Sequence, residues 1–209
     1  MTLFYIVRHG ETEYNRSGRY QGQTDIPLSP DGRQQIRALV PRLSRLPLDV
    51  IYTSDLSRAL ETARIFARGR MIIQDPRLRE VNVGLVAGLS PSEIAAAYPE
   101  AWAAMQQDPA GARFPEGESA VEVQDRVMKA LADIHRRFPD GNVAVVTHGG
   151  VVKTIAAAVL ELPLERRSRI VLDNCSLTVV KWGQNGLQLV SLNDTGHLPQ
   201  APTPVKADF

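Results

Sequence analysis

The sequence predicts a three-layer α/β/α fold with a mostly parallel central sheet and a C-terminal hairpin at one edge. Three observations carry this. Short apolar runs alternate with stretches of helical periodicity, the pattern of strands joined by crossover helices. Two of those runs, Leu3-Phe4-Tyr5-Ile6-Val7 and Asn142-Val143-Ala144-Val145-Val146, are apolar at almost every position, as strands covered on both faces must be. The last two runs flank Gly183-Gln184-Asn185-Gly186, a turn-rich link that joins them as a hairpin.

In chain order, strands are expected over 3–7, 50–52, 71–74, 143–147, 177–182 and 187–192. Helix starts are marked by capping residues. Ser29-Pro30 pairs a capping hydroxyl with proline at the first helical position. Ser90-Pro91-Ser92-Glu93 and Ser119-Ala120-Val121-Glu122 are capping boxes, the second followed by the stripe Val123, Val127, Leu131, Ile134 and Phe138. A further helix follows His148, with Val151, Val152, Ile155 and Val159 on one face. Pro41 is expected to kink or end the helix that contains it. The stretch 99–118, broken by prolines and glycines, reads as a loose insertion able to cap a site, with Trp102, Met105 and Phe114 either lining a lid or belonging to the core.

The 209 residues suit one domain, taken as 1–198, with an irregular tail over 199–209 marked by Pro199, Pro202 and Pro204. A net charge of +1 gives no overall attraction to nucleic acid or membrane, so anion binding must be local. The one cysteine, Cys175, rules out an intrachain disulfide and fits a reducing cytoplasm; no activating neighbour marks it as a nucleophile. No signal-peptide pattern or run of about 20 apolar residues is present, so a cytoplasmic protein is expected. The edge strand near Leu187 leaves monomer and homodimer both open.

Chemistry concentrates where the strands end. Arg8-His9-Gly10 follows the first strand and Thr147-His148-Gly149-Gly150 follows the fourth, so two of the four histidines arrive at one sheet edge. Thr53-Ser54-Asp55-Leu56-Ser57-Arg58 brings a second arginine there after the second strand. In open α/β sheets this carboxyl edge is where ligands bind. If the four groups converge, the guanidiniums of Arg8 and Arg58 match phosphate oxygens, and neighbouring cations keep the His9 imidazole neutral and nucleophilic. Attack on phosphorus gives a phosphohistidine. The leaving group then needs a proton, and Glu80 in Leu78-Arg79-Glu80 is the candidate donor; spacing alone also allows a surface glutamate. No cluster of ligands at metal spacing and no nucleotide P-loop is apparent, so no cofactor is expected. Of the other histidines, His135 beside Arg136 and Arg137 reads as part of a solvated face, and His197 as structural.

The stretch from Val7 to Asn15 closely resembles the opening signature of the histidine phosphatase superfamily, in its phosphoglycerate-mutase-like branch. Gly18 to Asp25, Tyr52 to Ala59, Leu78-Arg79-Glu80, Gly117-Glu118-Ser119 and Val146 to Gly150 resemble further family motifs, in family order. The resemblance implies that His9 is the phosphorylated nucleophile, Arg8 and Arg58 phosphate clamps, His148 the second pocket histidine and Glu80 the proton donor. It adds Asn15, Gln21 and Gly22 as the loop closing on the phosphoryl group, and Gly149 beside His148. Glycine at 149, where the acid phosphatase branch carries its proton-donating aspartate, supports Glu80 in that role.

Departures from the pattern bear on the fate of the phosphohistidine. The mutase sequence Gly-Asn-Ser after the second histidine is replaced by Gly149-Gly150-Val151, and Arg113 is the only basic residue between Glu80 and Glu118. Both favour water as acceptor. The expectation is therefore a metal-independent phosphomonoester hydrolase acting on a small phosphorylated metabolite. A 2,3-bisphosphoglycerate-dependent mutase, an alpha-ribazole phosphatase and a non-catalytic phospho-ligand binder are the alternatives. Gly84-Leu85-Val86-Ala87-Gly88 departs from the frequent Gly-x-Trp-Glu-Gly, and Val83 stands where phosphoserine phosphatases carry histidine, which weakens the case for that substrate.

Overall fold

The computed structural model describes residues 1–198; the expected tail over 199–209 lies outside them. The elements run β1 (Thr2–Arg8), α1 (Glu13–Ser17), α2 (Pro30–Ser44), β2 (Val50–Thr53), α3 (Ser57–Ala67), β3 (Ile72–Gln74), α4 (Pro91–Ala97), α5 (Pro99–Gln107), α6 (Ala120–Arg137), β4 (Asn142–Thr147), α7 (Gly149–Val159), β5 (Leu177–Gly183) and β6 (Gly186–Asp194). The sheet order is β3-β2-β4-β1-β5-β6. β1, β2, β3 and β4 are parallel, while β5 and β6 form the antiparallel C-terminal hairpin at one edge.

Strand alternation sorts the core into two layers. Phe4, Ile6, Val50, Tyr52, Val143 and Val145 pack with the stripe of α6 and with Val151, Val152 and Ile155 of α7. Val7, Ile51, Ala144 and Val146 face the other way, against Ile36, Leu39 and Leu43 of α2 and Phe66 of α3. The parallel register pairs Arg8 with Thr147 and Thr53 with Val146, so three strands end together. That edge carries the site.

The expected caps form: Ser29 accepts from Gly32 N, and Ser90 and Ser119 close boxes with Glu93 and Glu122. Two segments take definite local forms. α2 runs through Pro41 to Ser44 because the proline lies on the exposed face near the helix end, where a freed carbonyl can meet water. The first part of 99–118 is the helix α5, whose Trp102 and Met105 pack on the core. His135 is likewise no solvated bystander: its ring stacks on Trp182 at 4.9 Å and its Nδ1 meets Thr2 Oγ1 at 2.6 Å.

Candidate active site

β1 and β4 deliver their polar residues together because their ends are tied. His9 N donates to Thr147 O at 2.9 Å, and the His9 carbonyl accepts from Cys175 N and Asn174 Nδ2, both at 3.1 Å. The close approach of α2 behind this turn requires glycine: a Cβ on Gly10 would lie 2.6 Å from Gly32 O. His9 and His148 then meet edge to face, with ring centroids 5.1 Å apart.

The His9 tautomer follows from its neighbour. Nδ1 lies 2.7 Å from Gly10 O, and a carbonyl only accepts, so Nδ1 carries the proton and Nε2 keeps its lone pair. Burial, then Arg58, then Arg8 hold the His9 pKa well below the ordinary imidazole value, against a smaller opposing effect of the Gly10 carbonyl. His148 is lowered well below as well, first by burial and then by Arg58, and neither of its buried ring nitrogens has a partner among the described residues.

Arg58, in the first turn of α3, is wholly buried, and its guanidinium is pulled down to about 10, chiefly by burial. Nη1 donates to Thr24 O at 2.8 Å and Nη2 to Gly22 O at 2.7 Å, while the buried Nε has no partner among the described residues. Gly22 presents that carbonyl with φ at 53°, in the left-handed region, and a Cβ there would strike Val83. Arg8 is held through Nη1 to Leu172 O at 2.6 Å. Asn15 Oδ1 accepts from Asn174 Nδ2 at 3.1 Å and caps α1 with Thr12, whose hydroxyl also donates to Gln21 Oε1 at 2.9 Å.

Arg8, His9, Asn15, Gln21, Gly22, Arg58 and Glu80 wall one open cavity. Glu80 is oriented by backbone donors: Val81 N reaches Oε1 at 2.9 Å and Gly150 N reaches Oε2 at 3.1 Å. The N-terminus of α7 thus fixes the Glu80 carboxyl group in place. His148 stands against His9 rather than in the wall itself. Gly149 is buried as the first residue of α7 and is not among the wall residues, so a direct role in binding gains no support.

Several contributors escape sequence reasoning. Arg126 of α6 donates to the carbonyls of Arg77, Arg79 and Glu80 at 2.7, 2.8 and 3.0 Å, and its Nε pairs with Glu118 at 2.9 Å. Glu118 in turn accepts from Asn82 N at 2.8 Å, so one ion pair pins the loop carrying Glu80. Arg19, Tyr20, Val81, Val83, Phe114 and Arg167 complete the cavity wall. Phe114 alone of the three expected lid residues reaches it. Cys175 is buried against the back of the turn with its thiol pushed up to about 12, unsuited to nucleophilic work. Among the described residues, no group of three or more His, Cys, Asp or Glu side chains forms a potential metal-binding cluster, and no helix is long and apolar enough to cross a membrane.

The chain is similar to known proteins over most of its length. The chain is 37% identical to a Serratia proteamaculans protein named "Probable phosphoglycerate mutase GpmB", with 95% of each covered. Its structure is similar to that of Bacillus stearothermophilus YhfR (TM-score 0.88, 36% identity, 94% of this chain and 99% of that one). It is also similar to an Entamoeba histolytica phosphoserine phosphatase mutant solved with phosphoserine (TM-score 0.87, 28% identity, 95% and 100% covered). With its residues 4–195 matching the family as a whole, the chain belongs to branch 1 of the histidine phosphatase superfamily.

Proposed function

We propose that this protein is a metal-independent phosphomonoester hydrolase working through a phosphohistidine. The carrying observation is that His9 Nε2 keeps its lone pair beside buried donors, Arg58 Nε and the His148 ring, that lack acceptors among the described residues. Buried polar groups ordinarily find partners, and a tetrahedral anion supplies them here. His9 Nε2 attacks phosphorus as the ester P–O bond breaks, and Glu80 in its acid form gives the leaving oxygen a proton. The resulting Glu80 carboxylate takes a proton from water as that water attacks phosphorus. The P–N bond breaks, releasing inorganic phosphate and regenerating both residues. Arg8 and Arg58 balance charge on the equatorial oxygens throughout.

Every group invoked comes from one chain, so the chemistry is compatible with a monomer or a homodimer. A small phosphorylated metabolite of the cytoplasm suits the cationic cavity wall and the single buried cysteine. Phosphorus NMR with 3-phosphoglycerate and a trace of 2,3-bisphosphoglycerate in chelator tests the reading. Free phosphate from wild type and none from His9→Ala is expected. Conversion to 2-phosphoglycerate without phosphate release would make the protein a mutase, and phosphate release by His9→Ala would reject the covalent route.

A further inference from the structure

The outer wall of the cavity contains a cation that phosphoryl transfer at His9 does not use. Arg167 lies in the 3-10 turn Leu164–Arg169 after α7 and lines the cavity with Tyr20, Val81, Val83 and Phe114. Its Nη1 donates to the carbonyls of Pro109 at 2.6 Å and Leu164 at 3.3 Å. No carboxylate pairs with it among the described residues, and its Nε and Nη2 find no acceptor there. Burial accordingly depresses its pKa.

Neighbouring arginines are treated differently. Arg19 pairs with Glu93 at 2.7 Å, Arg126 with Glu118 at 2.9 Å, and Arg79 with Asp55 at 2.5 Å. Arg113 turns to Glu122 at 3.0 Å and to the Gly117 carbonyl, and is not part of the wall. Desolvating a cation without a counter-ion is unfavourable. Arg58 is fully buried at the phosphate end, and Arg167, half-buried on the same cavity wall as Tyr20 and Phe114, has no carboxylate partner among the described residues either. One unbalanced monocation calls for one monoanion.

We infer that Arg167 is a subsite for a carboxylate on the substrate, so that short phosphorylated carboxylic acids are selected over neutral alcohol phosphates. This rests on the hydrolase reading, which places the phosphoryl end at His9. Since the 99–118 segment brings no unpaired cation to the wall, Arg167 performs the discrimination from the opposite end of the chain's order, steadied by the Pro109 carbonyl.

The test uses hydrolysis of p-nitrophenyl phosphate as reporter, with 3-phosphoglycerate and glycerol 3-phosphate as competitors differing in a carboxylate against a hydroxymethyl group. Wild type should bind the acid about 10- to 100-fold more tightly, the range of a charge-assisted hydrogen bond. Arg167→Met should bring the two to near parity, and Arg167→Lys should keep part of the preference. Parity in wild type, or a preference surviving Arg167→Met, overturns the proposal. So does an equal weakening of both competitors, which would mark Arg167 as mere support for the wall. Failure of wild type to hydrolyse the reporter would instead defeat the hydrolase reading. Calorimetry of the same two ligands with wild type and Arg167→Met would then decide the subsite by the same preference.

Discussion

At its inner end the cavity is walled by residues on or just beyond regular elements: Arg8 and His9 where β1 stops, Arg58 in the first turn of α3, with His148 behind them where β4 stops. At its outer end Tyr20, Val81, Val83, Phe114 and Arg167 come from turns and loops widely spread along the chain, held by bonds such as Arg126–Glu118 and Arg167 to Pro109. The inner groups inherit their positions from sheet register, which a buried core fixes strongly. The outer groups depend on individual side-chain ties. On the proposed reading, chemistry is built into the scaffold and selectivity into attachments that can change without disturbing it.

Substitutions can break that division. Glu80 is the link between the two ends, and Glu80→Gln should have the largest effect of any change that spares the nucleophile. With an alkyl phosphate, whose leaving oxygen needs a proton, kcat should fall by about 10²- to 10⁴-fold. With p-nitrophenyl phosphate the initial burst of p-nitrophenolate should survive, since that group leaves unaided. Equal losses in alkyl ester turnover and in burst rate would remove Glu80 from the role of acid. Arg58→Ala comes next, with about 10²- to 10³-fold lost from kcat on either ester, because a donor to the transition-state charge is gone. Arg58→Lys should recover only part, lacking the planar fork. If Arg58→Ala altered KM alone, the inner end would be a binding site rather than a catalytic one.

The same division explains what the sequence disclosed. β2 and β4 announced themselves because both faces are buried, and caps because Ser29, Ser90 and Ser119 satisfy backbone donors locally. His9, Arg58 and His148 were legible because each lies at the end or start of such an element. Arg126 was not: on an amphipathic helix it reads as one more solvent-facing cation, and only docking of α6 against the Glu80 loop turns it inward. Arg167 sits in Arg166-Arg167-Ser168-Arg169, where spacing does not say which arginine faces the cavity. His135 misled for a related reason, since its flanking arginines suggested solvent while Trp182 arrives from β5, far along the chain.

Arg126 therefore offers a graded probe of the outer ties. It touches no inner group, but its loss frees three carbonyls of the Glu80 loop and leaves Glu118 without its counter-ion. Arg126→Met should lower kcat for an alkyl phosphate by about 10-fold through misplacement of Glu80, with the p-nitrophenyl phosphate burst spared. Comparable loss of the burst would mean the tie supports the nucleophile as well, and would blur the boundary between the two ends.

The smallest expected effect is one of pH, and it is specific to the inner end. His9 and His148 have pKa values well below the ordinary imidazole value, so both stay neutral as the solution is acidified from about 7.5 toward 6. Once the titration of the substrate phosphate near 6 is corrected for, kcat/KM should change by less than about threefold over that interval, since an unperturbed imidazole with pKa about 6.5 would lose about fourfold. The same depression sets the sign for stability. Unfolded histidines take up protons below about 6.5 while the folded ones do not, so the unfolded state binds more protons and stability falls as pH drops. These two groups together should cost at most about 3 kcal/mol between pH 7.5 and 5.5, read as a lower urea midpoint. His148→Gln removes one of them and should halve that acid sensitivity. A variant with unchanged pH dependence would show that His148 is not held neutral by its burial, and the electrostatic account of the inner end would have to be rebuilt around Arg8 and Arg58 alone.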